Sequence, residues 1–177
     1  EWVLVLDDWT DGIGKSPDEI LAGFKAQNGT VGTGMNHDMG GMGGMGDSPL
    51  GDVGDIAYPH YLINGRIPSA PQTLTGKPGQ RARIRLINAA ADTLFRVALG
   101  GHAMTVTHTD GFPVQPTETK ALYLSQGERV DVLVTLGDGV FPLVADAEGK
   151  KGQALALIRT SGGSKPSPDV HPSELDG

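Results

Sequence analysis

An all-β sandwich or barrel is the fold class this sequence predicts, and three observations predict it. Strand candidates follow one another at close intervals from residue 72 onward, separated by turn signals. Composition agrees: 177 residues carry Gly 27 and Pro 12 with only 5% aromatics, and β-branched residues crowd the second half. Two stretches alternate with period two. In Arg81–Ile87, Arg81, Arg83 and Arg85 interleave with Ala82, Ile84 and Leu86; in Val130–Leu136 the valines share one face and Asp131 and Thr135 the other. That period puts one set of each on a buried sheet face and the other toward water or a partner.

Taken in order, Glu1–Asp7 is apolar enough for a strand that Asp8-Trp9-Thr10-Asp11-Gly12 ends. One short helix follows, Pro17–Ala26. Ser16 is its N-cap, Pro17 sits at the first helical position and Glu19 completes a capping box. Ile20, Leu21 and Phe24 make its apolar stripe, and Asn28-Gly29 stops it. Asn28-Gly29-Thr30 also matches a glycosylation sequon, a three-residue pattern common by chance. Residues 29–54 read as a flexible Gly/Met-rich loop without a periodic apolar face. Tyr58–Gly65 ends in an Asn-Gly turn signal. The strand candidates are then Gln72–Gly76, Arg81–Asn88, Thr93–Leu99, His102–Thr109, Ala121–Leu124, Glu128–Leu136, Val140–Ala147 and Gln153–Thr160. Pro78-Gly79, Gly100-Gly101 and Gly137-Asp138-Gly139 supply turns, and Asp110-Gly111-Phe112-Pro113 closes the block that begins at Lys77. The expected organisation is one domain, 1–160, and a Ser/Gly/Pro-rich linker or tail, 161–177. A chain whose first residues already read as strand points to a piece of a longer polypeptide.

A net charge of −7 argues against nucleic acid or an anionic membrane as partner. No apolar run approaches the ~18–20 residues of a membrane span, and no export signal begins the chain. Cysteine is absent, which removes disulfides, thiolate catalysis and any metal site that needs a thiolate, and leaves the redox compartment open.

The candidate metal ligands are Met35, His37, Met39, Met42 and Met45. Four of the five methionines fall in this window, and thioethers with an imidazole are soft donors suited to Cu(I). Two readings stand: weak, transient copper capture, or a Gly/Met linker that binds nothing. The interleaved glycines make a helical methionine stripe a poor third. The remaining histidines, His60, His102, His108 and His171, form no His-x-His pair. If His102 and His108 share a strand, six residues at ~3.3 Å each hold them about 20 Å apart, too far for one metal. Ser125 lies in Leu-Ser-Gln-Gly and makes no nucleophile elbow. Asp146 and Glu148 read as solvated carboxylates, and the Gly-rich segments lack the Lys-Ser/Thr of a phosphate loop. No catalytic or cofactor-binding residue emerges.

Five blocks nevertheless resemble one family. Tyr61-Leu62-Ile63-Asn64-Gly65-Arg66, Pro78–Ala89 (PGQRARIRLINA), Phe95–His102 (FRVALGGH), Met104–Gly111 (MTVTHTDG) and Gly127–Val134 (GERVDVLV) are similar to the central domain of multicopper oxidases, over about residues 58–160. Glu1–Trp9 and the Met-rich loop suit bacterial laccase-like and copper-tolerance members. The resemblance implies a cupredoxin-like Greek-key β-sandwich, the second of three in a chain that oxidises phenols, amines or metal ions and reduces oxygen to water. It implies that copper belongs to the parent enzyme and sits in flanking domains, bound through His-x-His and Cys/His motifs that this sequence lacks. No copper ligand carries over; His102, Asp110 and Gly111 match scaffold positions. The chain alone is expected to be inactive, a copper-free domain joined to its neighbours and lending a wall to the substrate pocket. Its location is expected to be extracytoplasmic (secreted, cell-surface or periplasmic). The alternatives are a copper-capturing module acting through the Met-rich loop and a non-catalytic cupredoxin-like interaction domain.

Overall fold

A computed structural model describes residues 1–10, 16–26, 58–161 and 171–175. Two mixed sheets face each other across one apolar core. The first has six strands: β1 (Trp2–Trp9), β2 (His60–Ile63), β4 (Arg81–Asn88), β6 (Met104–Thr109), β7 (Phe112–Thr119) and β9 (Arg129–Thr135), in spatial order β2-β1-β4-β9-β6-β7. The second holds β3 (Gln72–Thr75), β5 (Phe95–Leu99), β8 (Ala121–Leu124), β10 (Val140–Ala147) and β11 (Gln153–Arg159), in order β3-β11-β10-β5-β8. β1 runs parallel to β4 and β11 parallel to β3; the other pairs are antiparallel. The chain passes back and forth between the sheets, so the sandwich closes on contacts distant in sequence.

Alternation sets the inner faces. Leu4 and Leu6 of β1, Ala82, Ile84 and Leu86 of β4, and Val130, Val132 and Val134 of β9 are buried against Phe95, Val97 and Leu99 of β5 and Leu143 and Ala145 of β10. Each fully buried aliphatic side chain contributes about 1.5–3 kcal/mol. On the opposite face of β4 the arginines meet carboxylates: Arg83 lies 3.1 Å from Asp131, and Arg85 lies 3.1 Å from Glu1. These partly exposed pairs set charge register and contribute little stability.

α1 (Pro17–Ala26) forms as its capping signals predict. The Ser16 N–H donates to Glu19 Oε2 at 2.7 Å and the Glu19 N–H to Ser16 Oγ at 3.3 Å. Leu21 of the expected stripe is exposed. Several boundaries differ from the sequence reading. β1 continues through Asp8 to Trp9, because β2 pairs with it there (Asp8 opposite Tyr61, Trp9 opposite His60). β7 was not expected: its prolines, Pro113 and Pro116, and its lack of any buried alternate set hide it. Residues 171–175 fold back as well. Ser173–Leu175 forms a short 3-10 turn, and Glu174 accepts a hydrogen bond from the Gly101 N–H at 2.9 Å.

Candidate functional site

One end of the sandwich gathers the buried polar chemistry. The inner row of β1 runs Leu4, Leu6, Asp8, and that of β4 runs Ala82, Ile84, Leu86, Asn88; each ends on a polar side chain. Both hold the turn between β4 and β5, and Asn88 also reaches β8. Asp8, only 5% exposed, accepts from the Ala91 N–H at 3.0 Å, the Asp92 N–H at 3.1 Å and the Thr93 hydroxyl at 2.7 Å. Asn88 donates to the Thr93 and Leu124 carbonyls at 2.9 and 2.8 Å and accepts from the Ala90 N–H at 2.9 Å. A buried carboxylate with three donors and a buried amide with three partners are satisfied groups, which lets them sit next to the core.

Lys150, from the turn between β10 and β11, locks the same corner. Its side chain is 4% exposed, and its ammonium donates to Asp92 Oδ2 at 2.8 Å and to the Asp92 carbonyl at 3.0 Å. It also stands 5.6 Å from the ring centroid of Tyr58, a cation–π contact. Tyr58 lies just ahead of β2. Burial first, then the charges of Asp8 and Asp92, push the Tyr58 hydroxyl up to about 12. Tyr61, beneath it and edge-on to Phe95 with ring centroids 5.9 Å apart, is likewise pushed up to about 12, chiefly by burial. Burial also raises Asp7 and Asp146; the neighbouring Asp8 and Glu148 charges add to the effect. The reading of Asp146 and Glu148 as solvated is therefore corrected, since Glu148 is buried where its N–H bonds the Leu94 carbonyl. Chemically, this corner is an acidic cap that holds one lysine and raises two phenols.

The histidines lie on separate elements. His102 precedes β6 and does not share its strand with His108. One ring nitrogen, Nδ1, is 2.8 Å from the Gly100 carbonyl and must donate to it; the other, Nε2, accepts the Gly137 N–H at 3.0 Å. The imidazole stands edge-on to Phe141 at 4.4 Å between centroids. It is thus a neutral cross-brace with both nitrogens in use. His108 sits in β6 with Nδ1 3.1 Å from the Thr107 hydroxyl, and His60 opens β2 opposite Trp9. Met35, His37, Met39, Met42 and Met45 lie outside the described residues, as does the Asn28 sequon.

A blue-copper centre needs a thiolate beside two imidazoles. The chain has no cysteine, and among the described residues no three His, Asp or Glu side chains lie close enough to share a metal. These residues do not fit such a centre. Away from the acidic cap, a depression of about 410 Å³ lies beside β8, lined in part by Arg96, Lys120, Tyr123 and Glu174. Arg96 stacks over Tyr123 there at 5.6 Å.

The acidic cap was missed in the sequence because its partners are far apart: Asp8 reaches residues 83 to 85 positions away, and Lys150 one 58 positions away. The usable signal was a polar residue at inner parity, Asp8 after Leu4 and Leu6 and Asn88 after Ile84 and Leu86.

Known proteins align with this geometry. The family described as multicopper oxidase matches residues 1–163. Multicopper oxidase MmcO of Mycobacterium tuberculosis is 57% identical over 99% of this chain and 35% of its own length. A copper resistance protein A homolog of Pseudomonas syringae pv. tomato is 30% identical over 99% of this chain and 33% of its own. A solved laccase from B. aclada superposes with a TM-score of 0.67 at 21% identity, over 96% of this chain and 30% of that one, which shows the shared fold. The chain spans about a third of the length of the curated relatives it matches. Among the described residues no helix is long and apolar enough to cross a membrane.

Proposed function

This chain belongs to the multicopper oxidase family, a premise from which we propose that it acts as the copper-free central domain of a laccase-like oxidase. Its work is architectural. It joins flanking cupredoxin domains that hold the copper, oxidise phenols, amines or metal ions, and reduce oxygen to water, and it lends part of its surface to the substrate pocket. An extracytoplasmic location follows from the same reading. The observation that carries it is the donor set: a family defined by copper, in a chain without cysteine where His102, the best buried of the described histidines, has both ring nitrogens bonded to backbone groups. The test is a graft. This chain replaces the matching third of the M. tuberculosis relative, and phenol oxidation and copper content are measured. The graft is expected to fold, load copper and oxidise; a copper-loaded but uncoupled, inactive product counts against the role.

A second reading concerns the Met-rich window. Four methionines and one histidine within residues 35–45 support transient Cu(I) capture that feeds or protects the enzyme. Replacing Met35, Met39, Met42 and Met45 together by Ser is expected to weaken Cu(I) binding in a chelator competition. Unchanged affinity ends this reading.

A further inference from the structure

The edge strand β7 carries an apolar surface that the described residues leave uncovered. Residues 112–118 are all exposed, on both faces of the strand. Phe112 is 74% exposed and Val114 is 37% exposed. The register makes this informative: Thr109 lies opposite Val130 on one side and opposite Phe112 on the other. Residues directly opposite one another share a face, so Phe112 stands on the side where Val130 is buried in the core. The inner face of the six-stranded sheet thus runs on through the exposed Thr109 to Phe112, past the cover of the second sheet.

Phe112 is also held in place. Asp110 and Gly111 have φ of 50° and 85°, the left-handed pair that a tight hairpin turn requires. Arg129 fastens the turn from β9: its N–H donates to Asp110 Oδ1 at 3.1 Å and its guanidinium to the Asp110 carbonyl at 3.1 Å, and the Asp110 N–H returns to the Arg129 carbonyl at 2.7 Å. An exposed aromatic on a pinned hairpin loses little freedom when it is buried by a partner, which is what an interface anchor needs. Pro113 and Pro116 have no N–H to donate, which disfavours the addition of a further strand at this edge. Contact is made through side chains.

We propose that the Phe112–Val114 face of the β6–β7 hairpin is a docking surface for another domain of the same polypeptide. The proposal rests on the domain role given above and names the surface that role uses. The occupant follows from length. The M. tuberculosis relative, of which 35% is matched here, has about two thirds of its chain left to supply a partner for Phe112 and Val114.

The test uses the graft together with the isolated chain. Because the chain has no cysteine, Phe112→Cys places one thiol at the anchor. Its alkylation rate is followed by mass spectrometry of the peptide that contains it, with Lys151→Cys as an exposed control. The thiol at 112 is expected to react as a free thiol in the isolated chain and at least about tenfold more slowly in the graft, the protection that burial in a stable contact gives. Phe112→Ser is expected to lower the melting temperature of the graft and to leave that of the isolated chain unchanged. Equal thiol reactivity in an active graft overturns the docking surface alone. Protection that appears in the isolated chain as its concentration rises assigns the face to a second copy and also overturns it. A wild-type graft whose parts melt independently overturns both the docking surface and the domain role.

Discussion

Asp8→Ala is the sharpest test of the acidic cap. The substitution deletes the acceptor of three hydrogen bonds, from the Ala91 and Asp92 N–H groups and the Thr93 hydroxyl, at a position 5% exposed. Hydrogen bonds to a charged group contribute about 1.5–3 kcal/mol each, and donors left buried without a partner cost about 1–3 kcal/mol. The three share one carboxylate and one turn, so their effects do not add. The net loss is expected at about 3–5 kcal/mol, a large part of the ~5–15 kcal/mol that holds a domain together. Asp8→Asn keeps Oδ1 for Ala91 but turns an amide N–H toward the Asp92 N–H, so about 2 kcal/mol is expected. Urea unfolding followed by the fluorescence of Trp2 and Trp9 measures both. The midpoint should shift with the slope unchanged. A loss below about 1 kcal/mol for Asp8→Ala would show that water can serve the turn as well, and the cap would not be what holds this corner.

Other outcomes follow from the same geometry. His102→Ala removes a bond to the Gly100 carbonyl, one from the Gly137 N–H and the edge contact with Phe141; a loss of about 2–4 kcal/mol is expected in the same urea assay. Gly152→Ala should cost at least about 2 kcal/mol, because Gly152 has φ +129° and a Cβ there would meet Tyr61 Cε2 at 2.7 Å. Tyr61, at about 12 in the folded chain against an ordinary 10.0, holds its proton where the unfolded chain has lost it. Its contribution is therefore complete below pH 10 and lost as pH rises toward 12, about 2–3 kcal/mol, and Tyr61→Phe should flatten that alkaline fall. For Asp146, also raised, chiefly by burial, the fold disfavours the charged form relative to the unfolded chain. Stability from this group is present below its ordinary range and lost as pH rises through the folded value, so Asp146→Asn should stabilise the neutral protein by a small margin in thermal melts.

What was legible in the sequence was whatever repeats locally. Ala82, Ile84 and Leu86 announce their buried face by alternation, and Ser16 with Glu19 announces the start of α1 within four residues. β7 was illegible because an edge strand with no covered face has no period to show, and its prolines read as turn. The acidic cap was illegible because Asp8, Asp92 and Lys150 belong to three distant segments that only the sandwich brings together. Asp7-Asp8 looks like the end of a strand until β2 is seen to pair there. The pinned hairpin was half visible: Asp110-Gly111 was read as a turn, but its tie to Arg129 needs the β6–β9 pairing. Family membership was legible from ordered blocks, and His102, which lies in one of them, braces the backbone at Gly100 and Gly137.

Copper stoichiometry of the isolated 177-residue chain tests the central claim most directly. The chain is incubated with Cu(II), dialysed, and assayed for bound metal, for the blue thiolate–copper absorption and for cyanide-sensitive phenol oxidation. The copper-free scaffold role predicts no blue band, no oxidase activity and no tightly held stoichiometric copper. A stoichiometric copper that survives dialysis and supports cyanide-sensitive oxidation would contradict it.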